Sequence, residues 1–369
     1  MCYNRIFNAT FASGKVQLWY MEKRKKIIFI VNPCSGTSGK QIILDLIEQL
    51  LNRDLFDWEV RYTEHAGHAA EIAKAASNLS VDVVCAIGGD GTVNETARAI
   101  VHTNTALAII PAGSGNGLAR HLHIPMDPRG AIQVINECNI HPMDYGLIND
   151  HPFFCTCGMG FDAFISMKFA EAGRRGPLTY IENVLANGLS YDPDTYDIYV
   201  DDKLVSEYKA FCIACANASQ YGNNAYIAPE ASVRDGLMDV TIIQPFTVID
   251  APQIAIQLFN GKLPNNSRIK TFQCKKMHVH RSRPAAIHYD GDPVETGTDI
   301  DIQIVHEGLF CISPHEEGLV DKTPNFPNVL LEQFNEFFQR SELMLQSNLH
   351  KTQELHKKNL EIIKKLAKK

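Results

Sequence analysis

Residues 88–95 read Gly88-Gly89-Asp90-Gly91-Thr92-Val93-Asn94-Glu95, directly after the apolar run 81–87. A short apolar run bounded by turn residues reads as a buried strand. Glycine lets the chain turn sharply and lets a ligand approach the backbone. A glycine turn that ends a strand and opens a helix aims free N–H groups and a positive dipole end at one point, which suits a phosphate. The same pattern stands on either side. Asn32-Pro33-Cys34-Ser35-Gly36 follows the run 26–31, and Pro111-Ala112-Gly113-Ser114-Gly115-Asn116 follows the run 106–110. One such loop is a weak signal. Three in succession, with an aspartate inside the middle one, point to a nucleoside triphosphate and chemistry on its phosphates.

Around these loops the periodicity alternates. Ile42, Ile43, Leu46, Ile47, Leu50 and Leu51 recur at helical spacing, residues 58–63 read as a strand, and 68–76 and 94–101 read as helices. Strands alternating with helices imply a parallel sheet covered on both faces, with ligands at the carboxyl ends of its strands. All three loops fall at that edge. From about Ile140 the pattern changes to short runs at 153–157, 196–200, 211–216, 238–243, 276–279, 286–289 and 301–305. Asp201-Asp202, Asn223-Asn224 and Pro264-Asn265-Asn266 punctuate them, as in an antiparallel β-domain, and a helical insert is expected over 164–189. The expected organisation is an extension (1–24), a nucleotide-binding domain (25–140), a β-rich domain (141–320) and a helical tail (321–369). The active site then lies in the cleft between the domains.

Composition narrows the class. A chain of 369 residues more readily forms two domains than one. Its net charge of −7 offers no basic field for nucleic acid. Cys85, Cys155, Cys212 and Cys311 sit inside apolar runs and read as reduced core thiols of a cytoplasmic protein. Cys212-x-x-Cys215 and Cys155-x-Cys157 are set aside as metal pairs, because a strand turns such cysteines partly to opposite faces. No apolar run reaches the roughly 18 residues of a membrane span, and the first residues lack a basic stretch leading into an apolar one. In the tail, Leu331, Phe334, Phe338, Leu345 and Leu349 form one stripe, and the chain ends in Lys357-Lys358, Lys364-Lys365 and Lys368-Lys369. Such a helix can lie on the inner membrane surface. The alternative is a helix packed on the nucleotide domain or against a homodimer partner.

The three loops, with Gly158-Met159-Gly160-Phe161-Asp162-Ala163, Ala228-Pro229, Asp235-Gly236-Leu237-Met238-Asp239 and Asp290-Gly291-Asp292 downstream, resemble the signature of the diacylglycerol kinase and sphingosine kinase superfamily. The resemblance covers roughly residues 25–312. It implies an α/β fold: an N-terminal parallel-sheet domain like that of NAD kinase and diacylglycerol kinase, then an antiparallel β-sandwich. It also implies ATP and Mg²⁺ as cofactors, and transfer of the γ-phosphate to a lipid hydroxyl of diacylglycerol or sphingoid type. Asp90 and Asp292 match the catalytic positions. Asn32, Ser35, Thr63, Gly88, Gly89, Asp90, Gly91, Thr92, Val93, Asn94, Glu95, Gly113, Ser114 and Asn116 match nucleotide-binding positions. Asp162 matches a contact to the lipid head. Asp235, with the carbonyls of Ser232 and Leu237, matches an oxygen-only site for structural magnesium.

The residues by themselves leave some roles open. Asp90 is caught between glycines with no evident packing role. Glu95 reads equally as a solvated acid at a helix start. Thr63 alone is a turn hydroxyl, and Asp235 alone is a turn aspartate. The chain also departs from the family pattern. Asp292 stands where the family has glutamate, and Gly117 follows Asn116 where bacterial members carry aspartate. Gly117, Leu118 and Ala119 look more like the sphingosine and ceramide kinase branch. Arg174 and Arg175 match phosphate-binding positions there, or an exposed helix face. An NAD-kinase-like enzyme shares Gly-Gly-Asp-Gly-Thr, and a non-catalytic lipid- or nucleotide-binding protein is a third reading. A P-loop enzyme is excluded because residues 36–40 lack its spacing. A dinucleotide oxidoreductase is excluded because residues 113–117 are not Gly-x-Gly-x-x-Gly.

Overall fold

Val83–Gly88 and Ala106–Pro111 are buried at every position, as strands covered on both faces must be. A computed structural model describes residues 9–11, 14–16, 24–35, 39–172, 191–200, 203–247 and 250–314. A small hairpin, β1 (Ala9–Phe11) and β2 (Gly14–Val16), stands apart. The strands β3 (Lys25–Val31), β4 (Phe56–Tyr62), β5 (Val83–Gly88) and β6 (Ala106–Pro111) pair in parallel in the order β6-β5-β3-β4. Helix α1 (Lys40–Leu50) turns Ile43, Leu46 and Ile47 inward, and α2 (His68–Asn78) turns Ala69, Ala73 and Ala76 inward.

Helix α3 (Asp90–Arg98) starts four residues before the expected 94. Gly89 takes an extended cap conformation, so the glycine segment is itself the first turn of the helix. Among the described residues of this first half, two helices went unread in the sequence. They are α4 (Gly117–His121) and α5 (Pro128–Glu137), the latter opened by Pro128 and by the Asp127 carboxylate accepting from the Arg129 and Gly130 N–H groups.

The second half contributes β7 (Ile140–Ile148), β8 (His151–Phe153), β9 (Thr156–Gly160), α6 (Phe161–Ala172), β10 (Asp194–Val200), β11 (Lys203–Ala210) and β12 (Cys212–Ala216). It continues with β13 (Met238–Ile243), β14 (Ile269–Cys274), β15 (Lys276–Arg281), β16 (Ala285–Tyr289), β17 (Asp292–Thr296) and β18 (Asp299–Ile312). One antiparallel sheet runs β14-β13-β12-β9-β16-β17. The remaining strands extend the parallel sheet in the order β11-β10-β15-β18-β6-β5-β3-β4. The hinge of this arrangement is β18. It pairs antiparallel with β15 and β7, then parallel with β6 at Phe310↔Ala106 and Cys311↔Leu107.

Ile198, Val279, Ile300 and Ile302 of the larger sheet share one core with Met159, Ile213, Val240 and Ile287 of the smaller, so the two sheets form a sandwich. The strand expected at 153–157 is broken, because the N–H groups of Phe154 and Cys155 bind the Asp290 side chain. Cys212 and Cys215 face different cores, as do Cys155 and Cys157, whereas Cys157 and Cys215 share one. The latter two are directly opposed on β9 and β12 inside the core, where burial pushes the Cys157 thiol well up. The tail stripe and its lysines, Arg174, Arg175, Gly36 and most of the insert expected over 164–189 lie outside the described residues.

Candidate active site

The carboxyl ends of β3, β5 and β6 bring the three loops into contact. Asn32 Nδ2 donates to Thr92 Oγ1 (3.1 Å), while Asn32 Oδ1 accepts from the Cys34 N–H (2.9 Å) and Ser35 Oγ donates to the Asn32 carbonyl (3.0 Å). A Cβ on Gly88 would overlap the Thr92 side chain, and one on Gly113 would overlap the Gly89 backbone. Gly113 is therefore demanded by the meeting of two loops, and Gly88 by the first turn of α3 that follows it. Asn116, in a left-handed conformation (φ 53°), folds back on Gly113, accepting from its N–H (3.0 Å) and donating to its carbonyl (2.9 Å).

Asp90 is not isolated. Its Oδ2 accepts from the Asn116 N–H (2.8 Å) and its Oδ1 from the Gly117 N–H (2.6 Å), so it ties the middle loop to the third. Burial pushes this carboxyl above the usual range, against the pull of the two N–H groups and of the Arg120 charge. Arg120 Nε in turn holds the Gly115 carbonyl (3.0 Å). Glu95 lies within α3, and its carboxylate accepts from the Gly67 N–H (2.8 Å) and the Ala69 N–H (3.3 Å) at the start of α2. That arrangement caps α2 from a neighbouring helix.

Val93 is packed into the core, so only its backbone can face a ligand. Thr92 is buried, Ser114 is exposed at the tip of the third loop, and Thr63 is held by its N–H to the Val31 carbonyl (2.9 Å). Gly91 is exposed, and a Cβ there would meet nothing within 4 Å, so the space over α3's first turn is open to a phosphate. Lys40, unread as a site residue, reaches the third loop with Nζ 3.4 Å from the Ala112 carbonyl, and burial pulls its pKa down.

The second half is joined to this edge through Asp290. Its carboxylate accepts from Asn94 Nδ2 (2.8 Å) and from the N–H groups of Phe154 (2.8 Å), Cys155 (2.8 Å) and Thr156 (3.1 Å). Asp290 and Gly291, both at positive φ (47° and 88°), make the bend between β16 and β17, and Asp292 is exposed just beyond it. Asp162, at the start of α6, is buried, with Tyr221 Oη at 3.3 Å and His288 Nε2 at 3.1 Å from Oδ2. The sequence marks neither Asp290 nor His288 as a site residue, because their partners are remote along the chain.

Asp235 is exposed on a turn whose Gly236 has φ +69°, and its Oδ1 accepts from the Leu237 N–H (3.0 Å). The turn is anchored by fully buried Asp144, which accepts from the N–H groups of Gly236 and Glu307 (2.7 Å each) and lies 2.7 Å from His306 Nδ1. Asp239 beside it is pushed up by burial and by the charges of Asp235 and Glu230. An oxygen-rich, negatively charged turn fits a hard cation. Among the described residues, the side-chain group with metal-ligand spacing is His65, His68 and Glu71. There, however, the His68 Nδ1 lone pair already takes the Glu64 N–H (3.0 Å).

Comparison with known proteins agrees with this architecture. Residues 26–148 match the diacylglycerol kinase catalytic domain, and residues 155–304 match the YegS C-terminal NAD kinase beta sandwich-like domain. The chain is 28% identical over 284 residues to a diacylglycerol kinase of Bacillus subtilis (strain 168), covering 73% of this chain and 90% of that one. It is 25% identical over 310 residues to a Pectobacterium atrosepticum protein named "Probable lipid kinase YegS-like", covering 82% of this chain and 100% of the relative. A crystal structure of a diacylglycerol kinase from Bacillus anthracis shares the fold, with a TM-score of 0.63 at 22% identity over 80% of this chain and 98% of that one.

Proposed function

We infer, for a chain that pairs a diacylglycerol kinase catalytic domain with a YegS-type sandwich domain and so stands among the lipid kinases, that it transfers the γ-phosphate of ATP to a lipid hydroxyl. The observation that carries this reading is the junction of the two halves. Asp90 ties the second and third glycine loops together, and Asn94 on the same helix holds Asp290, one bend away from Asp292. Phosphates cradled at the loops and a carboxylate beyond that bend then belong to one site.

The open face over Gly91 fits the triphosphate, with N–H groups of the glycine segment as donors and Lys40 as a nearby cation. Bound Mg²⁺-ATP supplies the transferable phosphoryl group and neutralises part of its charge. Because the transition state of such transfers is loose, the protein's work is mainly positioning. The bond between the lipid oxygen and the γ-phosphorus forms as the β–γ bridge breaks, ADP leaves, and Asp292 takes or orients the hydroxyl proton. Asp235, with the Ser232 and Leu237 carbonyls, would hold a structural magnesium that steadies the turn before β13.

No helix among the described residues is long and apolar enough to cross a membrane. In this reading the enzyme meets its lipid at the membrane surface. The test is transfer of label from γ-labelled ATP to diacylglycerol, sphingoid base, ceramide or polyprenol, with NAD in the same panel. Labelled lipid is expected. Label in NAD alone would select the NAD-kinase-like alternative, and no label in any acceptor would select a binding protein.

A further inference from the structure

Arg120 stands in the last turn of α4, where an arginine is ordinarily a solvated cation. Here it is half-buried, and burial pulls its pKa down while Tyr226 and Asp90 act the other way. A guanidinium carries five N–H donors. Among the described residues this one makes a single hydrogen bond, from Nε to the Gly115 carbonyl (3.0 Å). Asp90 is close enough to act on its charge, yet Asp90 turns its two oxygens to the Asn116 and Gly117 N–H groups. The Nη donors are left for water or a ligand.

Their place in the fold favours a ligand. The third glycine loop has a cation at each end. Lys40 Nζ lies 3.4 Å from the Ala112 carbonyl, and Arg120 holds the carbonyl of Gly115. Lys40 belongs to α1, whereas the Gly115 end abuts the second half of the chain. There the Gly115 carbonyl also accepts from the Asn223 N–H (3.2 Å), and a Cβ on Gly222 would strike the Gly115 backbone. Tyr226, from the same segment, is a neighbour of the guanidinium. A phosphoryl group bound for an acceptor on the second half has to lie at this end of the triphosphate. A phosphate brought beside the Asp90 carboxylate also needs a positive charge to offset their repulsion. A planar fork can take two phosphate oxygens at once, which a point charge such as Lys40 cannot.

We propose that Arg120 is the clamp on the γ-phosphate: its Nη1 and Nη2 donate to two oxygens of that group and stay on them as it passes to the lipid oxygen. Donors placed in this way act where charge shifts in the transition state. This rests on the kinase reading above and adds a residue to it.

The test needs no lipid. Calorimetry in the presence of Mg²⁺ compares ADP with the β,γ-imido analogue of ATP on wild type, Arg120→Met and Arg120→Lys. Arg120→Met should weaken the analogue about tenfold to a hundredfold, the loss of hydrogen bonds between charged groups, and change ADP by less than about twofold. Arg120→Lys keeps the charge without the fork and should recover only part of the loss. In parallel, ¹⁵N spectra of the arginine side chains, assigned with the Lys variant, should show the Arg120 Nη signals move with the analogue and not with ADP.

An Arg120 that only steadies Gly115 would lose both nucleotides in parallel, and that result overturns the proposal. So would an analogue affinity untouched by Arg120→Met, or Nη signals that ignore the analogue. If Arg120→Met does not fold, the Lys variant and the spectra decide. If wild type binds neither nucleotide, the kinase reading falls and the clamp with it. If wild type binds both and only the Arg120 outcomes fail, the kinase reading stands without the clamp.

Discussion

Gly91 and Gly113 stand in neighbouring loops and should answer an added methyl in opposite ways. At Gly113 the methyl would collide with the Gly89 backbone, so Gly113→Ala should cost about 1–3 kcal/mol or more of stability. At Gly91 it would meet nothing, and the position is the second residue of α3. Alanine gains roughly 1 kcal/mol over glycine in a helix. Gly91→Ala should therefore melt no lower than wild type yet bind ATP about tenfold more weakly or worse, because in the proposed site the methyl would occupy the phosphate's place. A melting curve and a calorimetric titration check both halves, and undiminished ATP affinity would remove Gly91 from the cradle. Asp292 belongs to the same scale. It is exposed beyond the hairpin bend, so its replacement should spare the fold. In its proposed role of taking or orienting the hydroxyl proton, it should tolerate Asp292→Glu, the family residue, and lose turnover on Asp292→Ala. Equal activity of the two variants in a steady-state assay would end that assignment.

Two elements owe their placement to single side chains. The β16–β17 hairpin, whose tip carries Asp290-Gly291-Asp292, is held at its base by Arg281, which is 1% exposed. Its guanidinium donates to the carbonyls of Ala285, Ala286, Thr296 and Gly297 on both strands. Arg281→Met strands those acceptors, of which the Ala286 carbonyl is buried, so a loss of about 1–3 kcal/mol is expected in urea unfolding. Arg281→Lys should rescue little, because an ammonium cannot reproduce the planar fork. The second element is α4, which carries the partners of Asp90 and is fastened through His121. Its Nδ1 accepts from the Ser219 N–H (3.1 Å), and burial pulls its pKa down to about 4 from the usual 6.5. The unfolded chain then binds a proton at higher pH than the folded one. His121's contribution is complete above about pH 6.5 and is lost as pH falls toward about 4. His121→Gln should flatten that part of the stability profile, measured by chemical denaturation at pH 7 and pH 5.

At the scale of the whole molecule, Asp290 joins the halves by holding Asn94 on one side and the 154–156 backbone on the other. Asp290→Ala leaves three backbone N–H groups without their acceptor and the Asn94 amide with only the Pro152 carbonyl, and should cost about 3 kcal/mol or more. Hydrogen exchange at residues 154–156 should rise with it, and exchange as slow as in wild type would show that the junction is held otherwise. The parallel sheet, its glycine loops and their common edge are legible in the amino-acid sequence, because each follows from a local rule: an apolar run, a glycine turn, a helical period. Met238–Ile243 is legible to the residue for the same reason. Hidden from such rules are pairings between distant segments: Asp90 with Asn116 and Gly117, Glu95 with the start of α2, Asp290 with Asn94, and β18 returning to β6. Local sequence sets which elements form. Packing then decides which backbone N–H groups are left without a ladder or helix partner, and so which carboxylate each one finds. For this chain the sequence alone determined the alternation and the loops. Only the tertiary structure turned Asp90, Glu95 and Asp290 from isolated acids into the ties that hold the site together.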